Sequence, residues 1–417
     1  MVLAVSAIQA PNKSDSAMKR HIALLLLLLP LLAQGQLAIV TGAETLLSRQ
    51  GGYWQHIQGK TVGVVSNQTS VVGRQCTHLV DTLLSCGITI KTIFCPEHGF
   101  RGQAEAGATV GSGKDSRTGI PIVSLYGKNK KPLPEQLKGI DIVVFDLQDV
   151  GCRFYTYIST LTYVMEACAE NHIPVMVLDR PNPNGSYVDG PVLEPRHRSF
   201  VGMHPVPIVY GMTIGEYACM VNGEHWLGMG VDNGVWRKDT TLRCSLLVVP
   251  LQGYTHRSHY RLPVAPSPNL QTPQAVMLYP SLCLFEGTQI SVGRGTDSPF
   301  EIVGAPQYTG DGAFHFTPHP IKGVSENPPF KGQLCCGLDL RHVRATYTFN
   351  LEYLLDMYNG TPHETFFLKS GFFEKLAGTS SLRKQLQNGT SEDAIRASWQ
   401  PQLEQFKQIR QKYLMYE

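Results

Sequence analysis

From residue 60 to residue 178 the chain repeats one pattern: a short apolar run, a polar or glycine-bearing loop, then apolar residues at helical spacing. The pattern leaves few folds open, because strands joined by helical crossovers lie parallel and a parallel sheet must be covered on both faces. The apolar runs fall at 61–66, 88–94, 120–125, 140–145 and 174–178, and each reads as a strand. After the first, Leu79, Val80, Leu83 and Leu84 recur at helical spacing and Gly87 follows as a stop. After the fourth, Phe154, Ile158, Leu161, Met165 and Cys168 form another helical stripe. The fold class is therefore α/β, a Rossmann-like, mostly parallel sheet flanked by helices. Thr213-Ile214-Gly215-Glu216 announces one more helix, with threonine capping the amide three residues on and glutamate returning the bond.

Around 262–280 the composition turns to Leu-Pro-Val-Ala-Pro-Ser-Pro-Asn and further prolines, which favours extended chain and marks a boundary. We expect a catalytic domain over 45–265 and a smaller α+β C-terminal domain over 266–417 that closes the active-site cleft. The second ends in helical stretches at 380–387 and 391–413, the latter with Pro401 as a kink or break. Ahead of both, the first 35 residues read as an export signal: Met18-Lys19-Arg20 is a basic start, 22–32 an apolar core, and Ala33-Gln34-Gly35 a small-x-small cleavage site. Residues 1–17 carry none of these features and read as an over-called start. The apolar run is too short to span a bilayer comfortably, so the expectation is export to a periplasm or beyond with no stable membrane insertion.

With 42% hydrophobic residues the chain can bury a substantial core, and its net charge of +3 is spread without a basic block, so no nucleic-acid partner is expected. The ten cysteines are scattered, with no CxxC pair and no Cys/His metal spacing. They read mostly as small buried hydrophobes, with free thiols at the adjacent Cys335 and Cys336 and room for one or two bridges elsewhere.

The chemistry concentrates at strand ends. Cys95-Pro96-Glu97-His98-Gly99-Phe100-Arg101-Gly102 places an acid, an imidazole and a guanidinium directly after a strand, where open α/β sheets bind ligands. Three other strand ends carry Asn67-Gln68-Thr69, Asp146-Leu147-Gln148-Asp149 and Asp179-Arg180-Pro181-Asn182, and all four are expected to converge on one crevice. Arg153 followed by Tyr155 and Tyr157 fits a sugar site with a carboxylate-binding fork. Beyond the boundary, Phe285-Glu286-Gly287-Thr288 and Gly293-Arg294-Gly295-Thr296 could close over a ligand. No GxGxxG or GxxxxGK[ST] fingerprint follows a strand and no GxSxG elbow occurs, which disfavours nucleotide binding and ordinary serine hydrolysis. A metal site from His98, Asp146 and Asp149 lacks a spacing motif, so neither metal nor cofactor is expected.

At these residues the chain resembles the bacterial exo-β-N-acetylmuramidases of the NamZ type, formerly a domain of unknown function. The resemblance runs from about Lys60 to the C-terminus through Ser66-Asn67-Gln68-Thr69, Pro96-Glu97-His98-Gly99-Phe100-Arg101-Gly102, Asp146-Leu147-Gln148-Asp149-Val150-Gly151, Arg153-Phe154-Tyr155-Thr156-Tyr157, Leu178-Asp179-Arg180-Pro181-Asn182-Pro183, the two motifs at Glu286 and Arg294, and Ile395-Arg396-Ala397-Ser398-Trp399-Gln400-Pro401. It implies a Rossmann-like catalytic domain with a smaller C-terminal domain, and release of terminal N-acetylmuramic acid from the non-reducing end of peptidoglycan fragments in wall turnover or recycling. Glycosidic cleavage needs a proton for the leaving oxygen and a group that supports C1. Glu97 is the choice for the acid, with His98 beside it. The second role is open between Asp146, Asp149 and the substrate's own acetamido oxygen. The expected partners are muramyl saccharides, bound by Asn67, Gln68, Arg101, Gln148, Arg153, Tyr155, Tyr157, Asp179, Arg180, Asn182, Glu286, Arg294 and Thr296. Arg101, Arg153 and Arg294 are the candidate forks for the lactyl carboxylate. Two rival readings are a metal-dependent amide or ester hydrolase with His98 and Asp146 as ligands, and an exported solute-binding protein for wall fragments.

Overall fold

A computed structural model of the chain describes residues 38–97, 99–101, 113–311, 314–344 and 346–417. The expected export signal, His98 and Gly102 lie outside the described residues. Val40–Glu417 form one compact unit.

The repeated pattern folds into a seven-stranded sheet. Its strands are β1 (Thr61–Ser66), β2 (Thr89–Cys95), β3 (Gly113–Lys114), β4 (Pro121–Ser124), β5 (Ile142–Asp146), β6 (Val175–Leu178) and β7 (Leu246–Val249). In space they run β7-β6-β5-β1-β2-β4-β3, all parallel except the edge pair β3 and β4. The central strands β5 and β6 are buried along their whole length, and alternate side chains feed two cores. Val143 and Phe145 of β5 pack with Val175 and Val177 of β6 on one face. Ile142 and Val144 pack with Met176 and Leu178 on the other. Helices α1 (Leu79–Ser85) and α2 (Tyr157–Glu170) bury their stripes on opposite faces, Leu79, Val80 and Leu83 in the second core and Ile158, Leu161 and Met165 in the first. Each such side chain taken from water stabilises by about 1.5–3 kcal/mol, which is what holds the strand ends in register. Helix α3 (Ile214–Gly223) starts as its sequence indicates, with Thr213 and Glu216 forming a complete capping box.

The C-terminal part carries a smaller antiparallel sheet of β8 (Ile302–Ala305), β9 (Phe314–Phe316) and β10 (Cys335–Asp339), with β10 central, together with helices. Its apolar side chains, down to Trp399 and Phe406, join the same core as α2.

Three expectations are corrected. The proline-rich stretch is not extended throughout, because α4 (Pro273–Leu282) begins inside it. Pro273 occupies a first-turn position, where a missing N–H costs nothing, and Thr272 caps the amide of Ala275. Pro401 does not end its helix: α5 (Ser381–Gln387) is followed by one continuous α6 (Glu392–Gln411), anchored on either side of the proline by buried Trp399 and Leu403. None of the ten cysteines is disulfide-bonded, and six of them are buried, so the room left for one or two bridges is not used.

Candidate active site

The carboxyl ends of β2 and β4, the start of α2 and the C-terminal part enclose a cleft of about 680 Å³. Glu97, two residues past β2, is half-buried in its wall. Thr156, at the N-cap position of α2 but with its side chain not capping the helix, donates through Oγ1 to Glu97 Oε2 at 3.3 Å. Tyr126 leaves the end of β4 beside them, and burial followed by the charge of Glu97 pushes its phenol well up. Tyr155 and Tyr157 meet edge to face at 4.7 Å between centroids. Both hydroxyls donate to the Pro266 carbonyl, at 2.7 and 3.5 Å, so the two residues offer ring surface rather than polar tips to the cleft.

Across the cleft, Arg294 Nε and one terminal nitrogen both lie 2.7 Å from Glu286 Oε1, and the guanidinium stacks 5.1 Å over Phe300. This arginine is already neutralised. Among the described residues Lys130 is the other basic residue in the lining, with Nζ 4.4 Å over the ring of Phe200 and no carboxylate partner.

Much of the polar set expected to converge here does not line the cleft. Asp146 receives two bonds from Arg180, at 2.6 and 2.9 Å, and both side chains are enclosed. Asp149 accepts from the Tyr210 hydroxyl and from the Gly151 amide, and burial pushes its carboxyl up to about 6. Asp179 takes bonds from Thr213, Gly215 and Tyr416, and burial raises it likewise to about 6. Gln148 donates to the carbonyls of Asp149 and Pro181, and Asn182 to that of Met212. Gly151, at φ +77°, leaves room for Asn182 that a Cβ would take. These groups satisfy loop backbone that the strand ends would otherwise leave unpaired.

The same holds at one remove for Asn67 and Gln68. Asn67 donates to the Tyr157 hydroxyl at 2.7 Å, and Gln68 to the Ala265 and Pro266 carbonyls, so they position the tyrosine wall. Thr296 closes its own turn on the Gly293 carbonyl. Arg101 is paired with Asp115 at 3.0 Å and Asp81 at 3.6 Å, away from the cleft lining. Arg153 is wholly buried, and its guanidinium donates to the carbonyls of Pro191, Val206, Leu376 and Ala377 at 2.7–2.9 Å. Burial lowers its pKa to about 9. Gly378, at φ +77°, lets it approach, since a Cβ there would sit 2.5 Å from the guanidinium.

The cleft thus assembles Glu97, Tyr155, Tyr157, Glu286 and Arg294 from the expected set and adds Tyr126, Thr156, Lys130 and Phe200. Tyr126 had a readable signal, since it follows the strand at 120–125 as Glu97 follows the one before. Among the described residues, no group of three or more His, Cys, Asp or Glu side chains could hold a metal ion, and no helix is long and apolar enough to cross a membrane.

Comparison with known proteins fits this architecture. Two crystal structures of DUF1343 family proteins from Bacteroides fragilis NCTC 9343 share the fold: one at TM-score 0.80 and 43% identity, the other at 0.75 and 28%, each covering 91% of this chain and 99% of its own. The peptidoglycan beta-N-acetylmuramidase NamZ of Bacillus subtilis (strain 168) is 41% identical over 397 residues, 91% of either chain. Residues 62–274 match the family described as exo-beta-N-acetylmuramidase NamZ, N-terminal, and residues 277–416 match its C-terminal counterpart, so the chain belongs to the NamZ family.

Proposed function

We propose that the protein is an exo-acting glycoside hydrolase that releases β-1,4-linked N-acetylmuramic acid from the non-reducing end of peptidoglycan fragments during wall turnover and recycling. The basic, apolar and small-residue pattern of the first 35 residues supports a site of action in the periplasm or beyond. The observation that carries the reading is Glu97, a half-buried carboxyl at a strand's carboxyl end, held by Thr156 in a cleft lined by aromatic rings.

Glu97 donates its proton to the departing glycosidic oxygen as the C1–O bond breaks. Asp146 and Asp149 are each sealed inside the loop framework by Arg180 and Tyr210, out of reach of a water on the sugar. We assign support of C1 to the substrate's acetamido oxygen, which bonds C1 as the leaving group departs. Water, relieved of a proton by the now ionised Glu97, then opens that ring. The Tyr155 ring packs the apolar sugar face. Lys130 receives the lactyl carboxylate that distinguishes the muramyl sugar.

The test is mass spectrometry of products from a muramyl-terminated disaccharide. Wild type releases free N-acetylmuramic acid, and Glu97→Gln slows that release by roughly 10²–10⁴-fold with little change in thermal stability. Undiminished release by the variant removes Glu97 from the role.

A further inference from the structure

A second and larger cleft, about 1020 Å³, opens on the far side of the Ala265 and Pro266 wall, over the loops that follow β6 and β7. It lies along the same carboxyl edge of the sheet as the first, and Leu270 lines both. Gln68, Tyr155 and Tyr157 hold the wall between them through the Pro266 carbonyl.

The lining of this second cleft is one-sided in charge. His256, Arg257, His259, Tyr260, Arg261 and Tyr347 contribute to it, and among the described residues no acidic side chain does. Arg257 and Arg261 are exposed, and neither guanidinium pairs with a carboxylate among the described residues. His256 belongs to the same lining. His256 is nine-tenths buried, its Nε2 lies 3.1 Å from Glu216 Oε1 behind the cleft, and its Nδ1 has no hydrogen-bond partner. That atom lies beneath the cleft lining, and the fold leaves its burial uncompensated. His259 and Tyr347 are joined at 3.1 Å, which fixes an amphipathic edge beside the arginines.

We propose that this second cleft binds the continuation of the wall saccharide through its next carboxylate, with Arg257 and Arg261 as the fork. The proposal rests on the muramidase reading of the first cleft, because it needs a carboxylate-bearing glycan whose end sugar is held at Glu97. A guanidinium fork matches a carboxylate in geometry and charge, and tyrosine rings suit the sugar that carries it. A nucleotide fits less well, since the lining has no glycine-rich phosphate cradle.

The experiment compares wild type with the double variant Arg257→Gln, Arg261→Gln on three substrates. The first is the muramyl-terminated disaccharide, which has no inner lactyl carboxylate. The second is the corresponding tetrasaccharide, with its inner lactyl carboxylate free. The third is that tetrasaccharide with the inner carboxylate amidated. Expected are equal kcat/KM on the disaccharide, a rise in KM of roughly tenfold or more for the variant on the free tetrasaccharide, and no difference on the amidated one. Disaccharide turnover also reports that the variant is folded. An unchanged KM on the free tetrasaccharide, or an equal rise on the amidated one, overturns the proposal while leaving the muramidase reading intact. Failure of wild type to release N-acetylmuramic acid from the disaccharide overturns that reading and this proposal with it.

Discussion

Arg153→Lys separates two roles for the most enclosed cation in the site region. The sequence pattern offers Arg153 as a fork for the substrate carboxylate, whereas the structure ties it to four backbone carbonyls. One terminal nitrogen serves Pro191 and Val206, and the other serves Leu376 and Ala377, segments up to 224 positions away in sequence. A lysine ammonium is a compact point at the end of a flexible stem and can serve one of these pairs, not both. The abandoned pair of buried carbonyls then costs about 1–3 kcal/mol each, for a total loss of about 2–6 kcal/mol. Urea unfolding followed by circular dichroism reads this as a lower midpoint with an unchanged slope. On the protein that remains folded, the ratio of kcat/KM for muramyl over N-acetylglucosaminyl disaccharides should match wild type. A variant that keeps the wild-type midpoint yet loses that ratio would refute the structural role and restore Arg153 to the substrate.

Three further outcomes follow from the geometry. Lys130→Gln should raise KM for the muramyl disaccharide by roughly tenfold while barely moving the N-acetylglucosaminyl analogue, since one charge-assisted bond is lost; equal effects on both would put the lactyl carboxylate elsewhere. Asp149 has a folded pKa of about 6 against the usual 3.8, so the native state holds an extra proton between those values and loses stability as pH rises through that window. Asp149→Asn should flatten about 3 kcal/mol of that decline, leaving a similar share from Asp179, and parallel stability curves from pH 4 to 7 would show the shift is absent. Prolonged dialysis against EDTA should leave the rate of muramyl release unchanged; a loss restored by a divalent cation would instead favour the metal-dependent hydrolase.

What could be read in advance was whatever depended on neighbours in sequence. A short apolar run put β1 at Thr61–Ser66, and Thr213 with Glu216 announced a capping box, because strand burial and helix caps are decided within a few residues. Glu97 was legible for the same reason: a carboxyl just past a strand faces the sheet's carboxyl edge whatever the rest of the chain does. The aspartates at the other strand ends had equally good local credentials, and their fate was set from far away. Asp146 is claimed by Arg180, 34 positions on, and Asp179 by Tyr416, 237 positions on. A strand-end carboxylate has two ways to be satisfied, by a ligand or by the protein's own donors, and composition and spacing do not distinguish them. The same distinction operates among the cations. Arg294 carries the glycine-flanked motif but spends its charge on Glu286, while Lys130, in a plain run of Lys128-Asn129-Lys130-Lys131, keeps its own because its neighbour Lys131 takes Glu166 and Glu170. In the proposed function, recognition of the carboxylate falls to the cation that folding leaves without a counter-charge, and that property exists only in the folded chain.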